Sequence, residues 1–203
     1  MGIGILGGTF NPPHLGHLVC AQEAYLQLGL ERVMLIPART PPHKPVDDEP
    51  GVGHRLEMCR LAVAGDEQRL EVSDIEARRA GPSYTVDTLE ELHSRTPDSK
   101  LFLIVGGDVA VGFASWREPE RVLSLATLAV VERPGTRRAA IEQALGQVQG
   151  GERARFFDMP EIGISSTMLR DRARAQQPTR YLVPDAVRDY IDRHQLYGGS
   201  PTQ

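Results

Sequence analysis

The stretch Gly7-Gly8-Thr9-Phe10-Asn11-Pro12-Pro13-His14-Leu15-Gly16-His17 gathers residue types suited to an anionic ligand into one short segment. Paired glycines let a backbone come close to a ligand. His14 and His17, three apart, share one face of a helical turn. The first turn of a helix also presents N–H groups that lack intrahelical partners, and a positive dipole end. Together these residues make an anion site with movable positive charge. A second segment, Ile164-Ser165-Ser166-Thr167-Met168-Leu169-Arg170, puts Ser and Thr where a helix opens and an arginine one turn later. Hydroxyls and amides at a helix start hold phosphate oxygens, and a guanidinium can fork onto two of them. A lone H-x-x-H is usually a solvated pair, and Ser-Ser-Thr alone is an ordinary helix cap. Their joint occurrence, the first at the first strand-to-helix junction, is what points to phosphate.

The elements that must position these residues follow from hydrophobic periodicity. The apolar run 3–6, ending in Gly7-Gly8, predicts a buried strand and a turn. Residues 15–28 carry Leu15, Leu18, Val19, Tyr25 and Leu26 near helical spacing, with Gly29 as a stop. Further strands are expected over 32–36, 70–75, 101–105, 128–131 and 155–157. Helices are expected over 55–63, 85–93, 117–125, 137–148, 166–175 and 184–194. Residues 37–52 hold five prolines and must be a loop, of a length that is usually functional or mobile. Residues 77–83 read as a second loop. Alternating strand and helix predicts an α/β fold, a doubly wound, Rossmann-like parallel sheet with helices on both faces. The expectation is a single domain over 1–197, with a short helical C-terminal part and a frayed, flexible tail over 198–203. Ligands in such folds sit at the carboxyl ends of the strands, near a switch in strand order. Gly2, Gly4 and Gly7 spell G-x-G-x-x-G, but they fall inside the first strand, where that fingerprint has no meaning. There is no P-loop signature.

Composition narrows the class. The chain has 203 residues, 40% hydrophobic and 25% charged, enough for a full core without disulfides or metal. A net charge of −4 argues against a basic nucleic-acid face, while a pocket can still be locally positive. Cys20 and Cys59, each in an apolar helix-like stretch, read as buried reduced thiols. No Cys/His spacing suggests zinc. With no membrane-length span and no basic leader at the start, the expected location is cytoplasmic. The charged runs Asp47-Asp48-Glu49 and Arg78-Arg79 read as solvated loop surface.

The first segment resembles the T/H-x-G-H signature of the nucleotidyltransferase superfamily, whose members activate substrates by attack on an α-phosphate. The second resembles that superfamily's I-S-S-T-x-x-R motif. Within it, residues 3 to 197 are similar to the bacterial nicotinate-mononucleotide adenylyltransferases. Five further features carry the likeness: Pro41-Pro42-His43-Lys44; the 81–89 stretch around Tyr84-Thr85; Gly106-Gly107-Asp108 with Phe113 and Trp116; Val131-Glu132-Arg133-Pro134-Gly135; and Tyr190-Ile191 with Leu196-Tyr197. Asn11 departs from the family's usual Asp, and Gly106-Gly107 replaces a more varied pair.

The resemblance implies transfer of the adenylyl group of ATP to nicotinate mononucleotide, giving nicotinate adenine dinucleotide (deamido-NAD) and pyrophosphate in NAD biosynthesis. A phosphate-monoester acceptor is already largely anionic at neutral pH. The chemistry is then positioning and charge stabilisation, with no nucleophile–base pair required. By the family's pattern His17 contacts the α-phosphate, His14 helps bind the triphosphate, and Lys44 and Arg170 hold β/γ oxygens. Gly7, Gly8, Thr9, Phe10, Gly106, Ile164, Ser166 and Thr167 complete the ATP site, and Asp108 bonds ribose hydroxyls. Trp116 offers an aromatic plate to the pyridine ring, and Tyr84 and Thr85 offer hydroxyls and amides to its carboxylate. Arg133 is a weaker candidate there, equally readable as a surface arginine. Mg²⁺ would travel on ATP, with no protein ligand. The implied partners are ATP and nicotinate mononucleotide, without nucleic acid or membrane, and a homo-oligomer is left open. Competing readings are an adenylyltransferase for phosphopantetheine or nicotinamide mononucleotide, an ATP sensor without turnover, and a ligase of the class I tRNA synthetase type.

Overall fold

The computed structural model describes residues 2–41, 49–132 and 137–198. The expected site residues Lys44 and Arg133, residues 42–48 of the proline-rich loop and the tail beyond Gly198 lie outside the described residues. From the N-terminus, strand β1 (Gly2–Gly8) leads to helix α1 (Leu15–Leu28), and β2 (Arg32–Pro37) to α2 (Val52–Val63). Next come β3 (Leu70–Val72), the short α3 (Ile75–Arg78) and α4 (Thr85–Arg95). Then β4 (Lys100–Gly106) runs into α5 (Gly107–Val111), a 3-10 turn (Phe113–Ser115) and α6 (Pro119–Leu125). The chain continues through β5 (Ala126–Glu132), α7 (Arg138–Leu145) and β6 (Arg155–Asp158) to α8 (Ser166–Arg174) and α9 (Asp185–Arg193).

The six strands form one sheet in the order β3-β2-β1-β4-β5-β6, every pair parallel. Strand order reverses between β1 and β4, which opens the crevice expected of a doubly wound sheet. Side chains alternate along each strand into two cores. Ile3, Ile5, Met34, Ile36, Leu101, Leu103, Leu128 and Val130 pack with Leu89, Phe113 and Leu145 on one face. Leu6, Val33, Leu35, Ile104, Ala129 and Val131 pack with Cys20, Ala24 and Cys59 on the other. Such near-continuous apolar strands are what burial on both faces requires. A third cluster, Met58, Leu169, Val183, Val187 and Ile191, seats α8 and α9 on α2. The helical C-terminal part is therefore fixed to the sheet layer that carries the first loop.

Differences from the periodicity reading have local causes. The strand expected to 75 stops at Val72, and Ile75–Arg78 turn into helix instead. The helix expected from 117 starts at Pro119, because Glu118 adopts φ +52. A residue before proline is pushed out of the helical region, and proline itself suits a first helical position. Trp116 is held extended as a result. The short α5 was not anticipated, because Gly106-Gly107-Asp108 reads as a ligand turn.

Candidate active site

A cavity of about 390 Å³ opens at the carboxyl ends of β1 and β4. Gly7, Gly8, Thr9 and His17 line one part of it, Gly106 and Asp108 another, and Tyr84, Thr85 and Trp116 a third. The N-termini of α1 and α4 open at this cavity, through His17 on the first turn of α1 and Thr85 at the start of α4. Both helices run 11 residues or more, so each brings a positive dipole end to the wall.

His17 is oriented by the helix start itself. The His14 backbone N–H donates to His17 Nδ1 at 3.1 Å. A ring nitrogen that accepts carries no proton, so the neutral ring holds its proton on Nε2. The Phe10 ring meets the His17 ring edge-on at 4.9 Å, and the His14 ring lies 3.8 Å away, centroid to centroid. His17 is thus a fixed N–H donor on the cavity wall. His14 is buried and does not line the cavity. Phe10, expected at the ATP site, has its side chain in the core at 2% exposure and supports Gly8 and His17 from behind. A Cβ at Gly106 would come within 2.5 Å of Asp108 Oδ1. Glycine there lets the Asp108 carboxylate fold back over the end of β4.

The second motif acts on the first. Ser165, the N-cap of α8, accepts from the Met168 amide at 3.2 Å. Ser166 Oγ donates to the Pro12 carbonyl at 2.9 Å, and Arg170 donates to the Asn11 carbonyl at 3.0 Å. Tyr197 O–H donates to Asn11 Oδ1 at 2.6 Å. Asn11, 2% exposed, is therefore held by α8 and by the chain's end. Burial, with Glu49 nearby, pushes the Tyr197 phenol up, so it stays a donor. Ile164, Ser166, Thr167 and Arg170 are not among the cavity-lining residues. Ser166 and Arg170 instead hold residues 11 and 12 of the loop after β1, while Thr167 meets Arg170 and Ile164 packs on the Met58 and Leu169 cluster.

Three charged residues at or behind the cavity wall were missed in the sequence. Arg55 on α2 is fully buried. It donates to the Thr9 carbonyl at 2.7 Å, to Glu49 at 2.8 Å and to the Arg39 carbonyl at 3.4 Å, joining the loops after β1 and β2. Its signal was an arginine beside the apolar face Leu56, Met58, Cys59 and Val63. Arg117 lines the cavity next to Trp116, its guanidinium carbon 4.6 Å from the Tyr84 ring centre. Glu76 on α3 is a buried carboxylate at the acceptor-side wall. Burial raises its pKa, while hydrogen bonds from Thr88 and Ser83 and the charge of Arg79 act the other way. Arg79, read as solvated surface, bonds Thr88 Oγ1 at 3.0 Å and pairs with Glu91. Cys20 and Cys59 are buried and free of disulfides.

The chain is similar along most of its length to known proteins. A cytidylyltransferase-like family model matches residues 5–172. The nicotinate-nucleotide adenylyltransferase of Bacillus subtilis is 39% identical over 196 residues, covering 96% of this chain and 97% of its own. The chain belongs to the nicotinate-nucleotide adenylyltransferase family. A Salinibacter ruber member, designated a probable nicotinate-nucleotide adenylyltransferase, is 43% identical over 197 residues, covering 97% of this chain and 98% of its own. Nicotinic acid mononucleotide adenylyltransferase of Plasmodium falciparum, solved with NaAD, superposes with a TM-score of 0.79. It is 18% identical, and 97% of each chain is covered, so it speaks for the family's fold.

Proposed function

We propose that the chain transfers the adenylyl group of ATP to nicotinate mononucleotide. The observation that carries this reading is the cavity at the β1/β4 switch point. It joins a helix-start histidine at one side to an aromatic and hydroxyl wall, Tyr84, Thr85 and Trp116, at the other. Two anions must meet there, and the N-termini of α1 and α4 lower the cost of bringing them together. An acceptor phosphate oxygen attacks the α-phosphorus of ATP. The bond from that phosphorus to the bridging oxygen breaks, and pyrophosphate leaves. No side chain need be deprotonated, because the nucleophile is already an anion.

In this reading His17 donates from Nε2 to the α-phosphate as charge develops, a contact of the oxyanion type. Gly7, Gly8 and Thr9 let the backbone approach the triphosphate, with His14 stacked behind His17, and Asp108 takes the ribose hydroxyls. Lys44 would add charge at the β/γ oxygens, and Arg133 at the acceptor. Trp116 stacks on the pyridine ring, while Thr85 and Tyr84 meet its carboxylate. Arg170, Ser166 and Thr167 act in part by fixing residues 11–12. The substrate is the Mg²⁺ complex of ATP. Among the described residues no cluster of three or more His, Cys, Asp or Glu side chains could hold a metal, so ATP phosphates and water would hold the ion. The functional unit extends to residue 197, since Tyr197 closes on Asn11. Buried free thiols favour a reducing, cytoplasmic setting. The relatives' names support the acceptor assignment. Chromatography of a reaction with MgATP and nicotinate mononucleotide should show nicotinate adenine dinucleotide; ATP left intact would refute the proposal.

A further inference from the structure

Glu76 sits beside two hydroxyls, of Thr88 and Ser83, each of which accepts from an outer donor. Ser83 Oγ accepts from the Arg39 amide at 3.0 Å and lies 3.4 Å from the Thr40 amide. Its one proton is left for Glu76, whose pKa the Ser83 hydroxyl lowers. Thr88 Oγ1 accepts from Arg79 at 3.0 Å and donates its proton to Glu76 Oε1 at 2.8 Å. Glu76 Oε1 is thus the acceptor of the Thr88 hydroxyl. Ser83 and Thr88 flank Tyr84 and Thr85, and Arg39 and Thr40 belong to the loop after β2. The same two segments are further joined by the Ser83 amide to the Thr40 carbonyl at 2.9 Å.

We propose that Glu76 is a positioning residue for the acceptor. By accepting from Thr88, with the Ser83 hydroxyl beside it tied to the Arg39 amide, its buried carboxylate holds the Tyr84–Thr85 turn against the loop after β2 and so sets acceptor affinity. This rests on the functional reading above, which assigns that turn to the acceptor. The members of this hydrogen-bonded group sit on α3, α4 and loop residues 39–40 and 79–83, while His17 and Asp108 sit on α1 and α5, and the link to the loop after β1 runs through a further residue, Arg55. Hence the two substrates should feel its loss unequally.

Glutamine at 76 keeps the shape but can accept only at one terminal atom, and its NH₂ would face a hydroxyl already committed as a donor. One hydroxyl must then turn away, Thr88 toward the Tyr84 carbonyl 3.4 Å off, for example. Steady-state kinetics with MgATP and nicotinate mononucleotide tests this. Glu76→Gln should raise the acceptor KM roughly tenfold or more, the scale of a small misplacement of a binding group, with the ATP KM unchanged. Thr88→Val should do the same, and Thr88→Ser, which keeps the donor, should restore acceptor KM. The Thr88 pair decides the matter if Glu76→Gln does not fold. Wild-type acceptor KM in both Glu76→Gln and Thr88→Val, or a parallel rise in both KMs, would overturn the proposal. Wild-type protein inert toward nicotinate mononucleotide would instead remove the functional reading beneath it, and no variant would be needed to see that.

Discussion

The role proposed for His17 rests on an orientation set by a backbone contact. With Nδ1 taken by the His14 amide, the ring offers Nε2–H in one orientation without needing a buried carboxylate partner. His17→Ala should lower kcat by roughly 10²-fold or more, the scale of one lost electrostatic contact at a developing charge. Turnover near that of the wild type would take His17 out of the centre of the reaction. Trp116 makes a different demand. It lines the cavity while its ring tilts against Phe113 at 5.1 Å, so one face of it is supported by the core. Trp116→Ala should raise the acceptor KM and leave ATP binding, followed by calorimetry, nearly unchanged; equal weakening of both ligands would count against stacking. Asn11 is the residue whose departure from the family's usual Asp stood out in the sequence. Here its amide oxygen accepts from Tyr197. Tyr197→Phe should therefore cost about 1 kcal/mol in urea unfolding, the net worth of one such hydrogen bond, and no measurable loss would mean that the contact does not hold the C-terminal segment.

At the scale of elements, α2 and α8 act as clamps on loops. Arg55 reaches from α2 to carbonyls on both loops that frame the cavity, and α8 grips residues 11 and 12 through Ser166 and Arg170. Arg55→Ala leaves buried carbonyls and Glu49 without their donor, and should lower unfolding stability by about 3 kcal/mol. A loss below about 1 kcal/mol in chemical denaturation would show that the loops hold without it. Cys59 lies on the same helix, and burial pushes its thiol far above the usual range. A thiol so shielded should react with a thiol reagent only as the protein unfolds. Apolar periodicity and caps made the elements legible: α1 ends at Gly29, in the left-handed conformation, where the sequence reading ends it. The relay around Glu76 was not legible, because Ser83 and Thr88 acquire meaning only when α3 brings a carboxylate between them. Likewise the I-S-S-T-x-x-R segment advertises phosphate binding, and nothing in its sequence shows that Ser166 and Arg170 reach the loop 154 and 159 residues away.

On the scale of the whole molecule, the parallel sheet explains why one cavity serves two anionic substrates. The reversal of strand order between β1 and β4 separates the loops that follow them and leaves room for a ligand. Helix starts then gather at that edge, so a chain with net charge −4 still offers a site suited to phosphate. Strand–helix alternation pointed to a doubly wound sheet with its ligand near a switch in strand order, and the order itself, β3-β2-β1-β4-β5-β6, came with the structure. What periodicity could not tell was the acceptor, since the wall of Tyr84, Thr85 and Trp116 is assembled from segments more than 30 residues apart. The most direct test follows pyrophosphate release from MgATP with nicotinate mononucleotide, nicotinamide mononucleotide and phosphopantetheine side by side. Fast release with nicotinate mononucleotide and little with the others is the predicted result. Fast release with phosphopantetheine instead, or none with any acceptor despite measurable ATP binding, would contradict it.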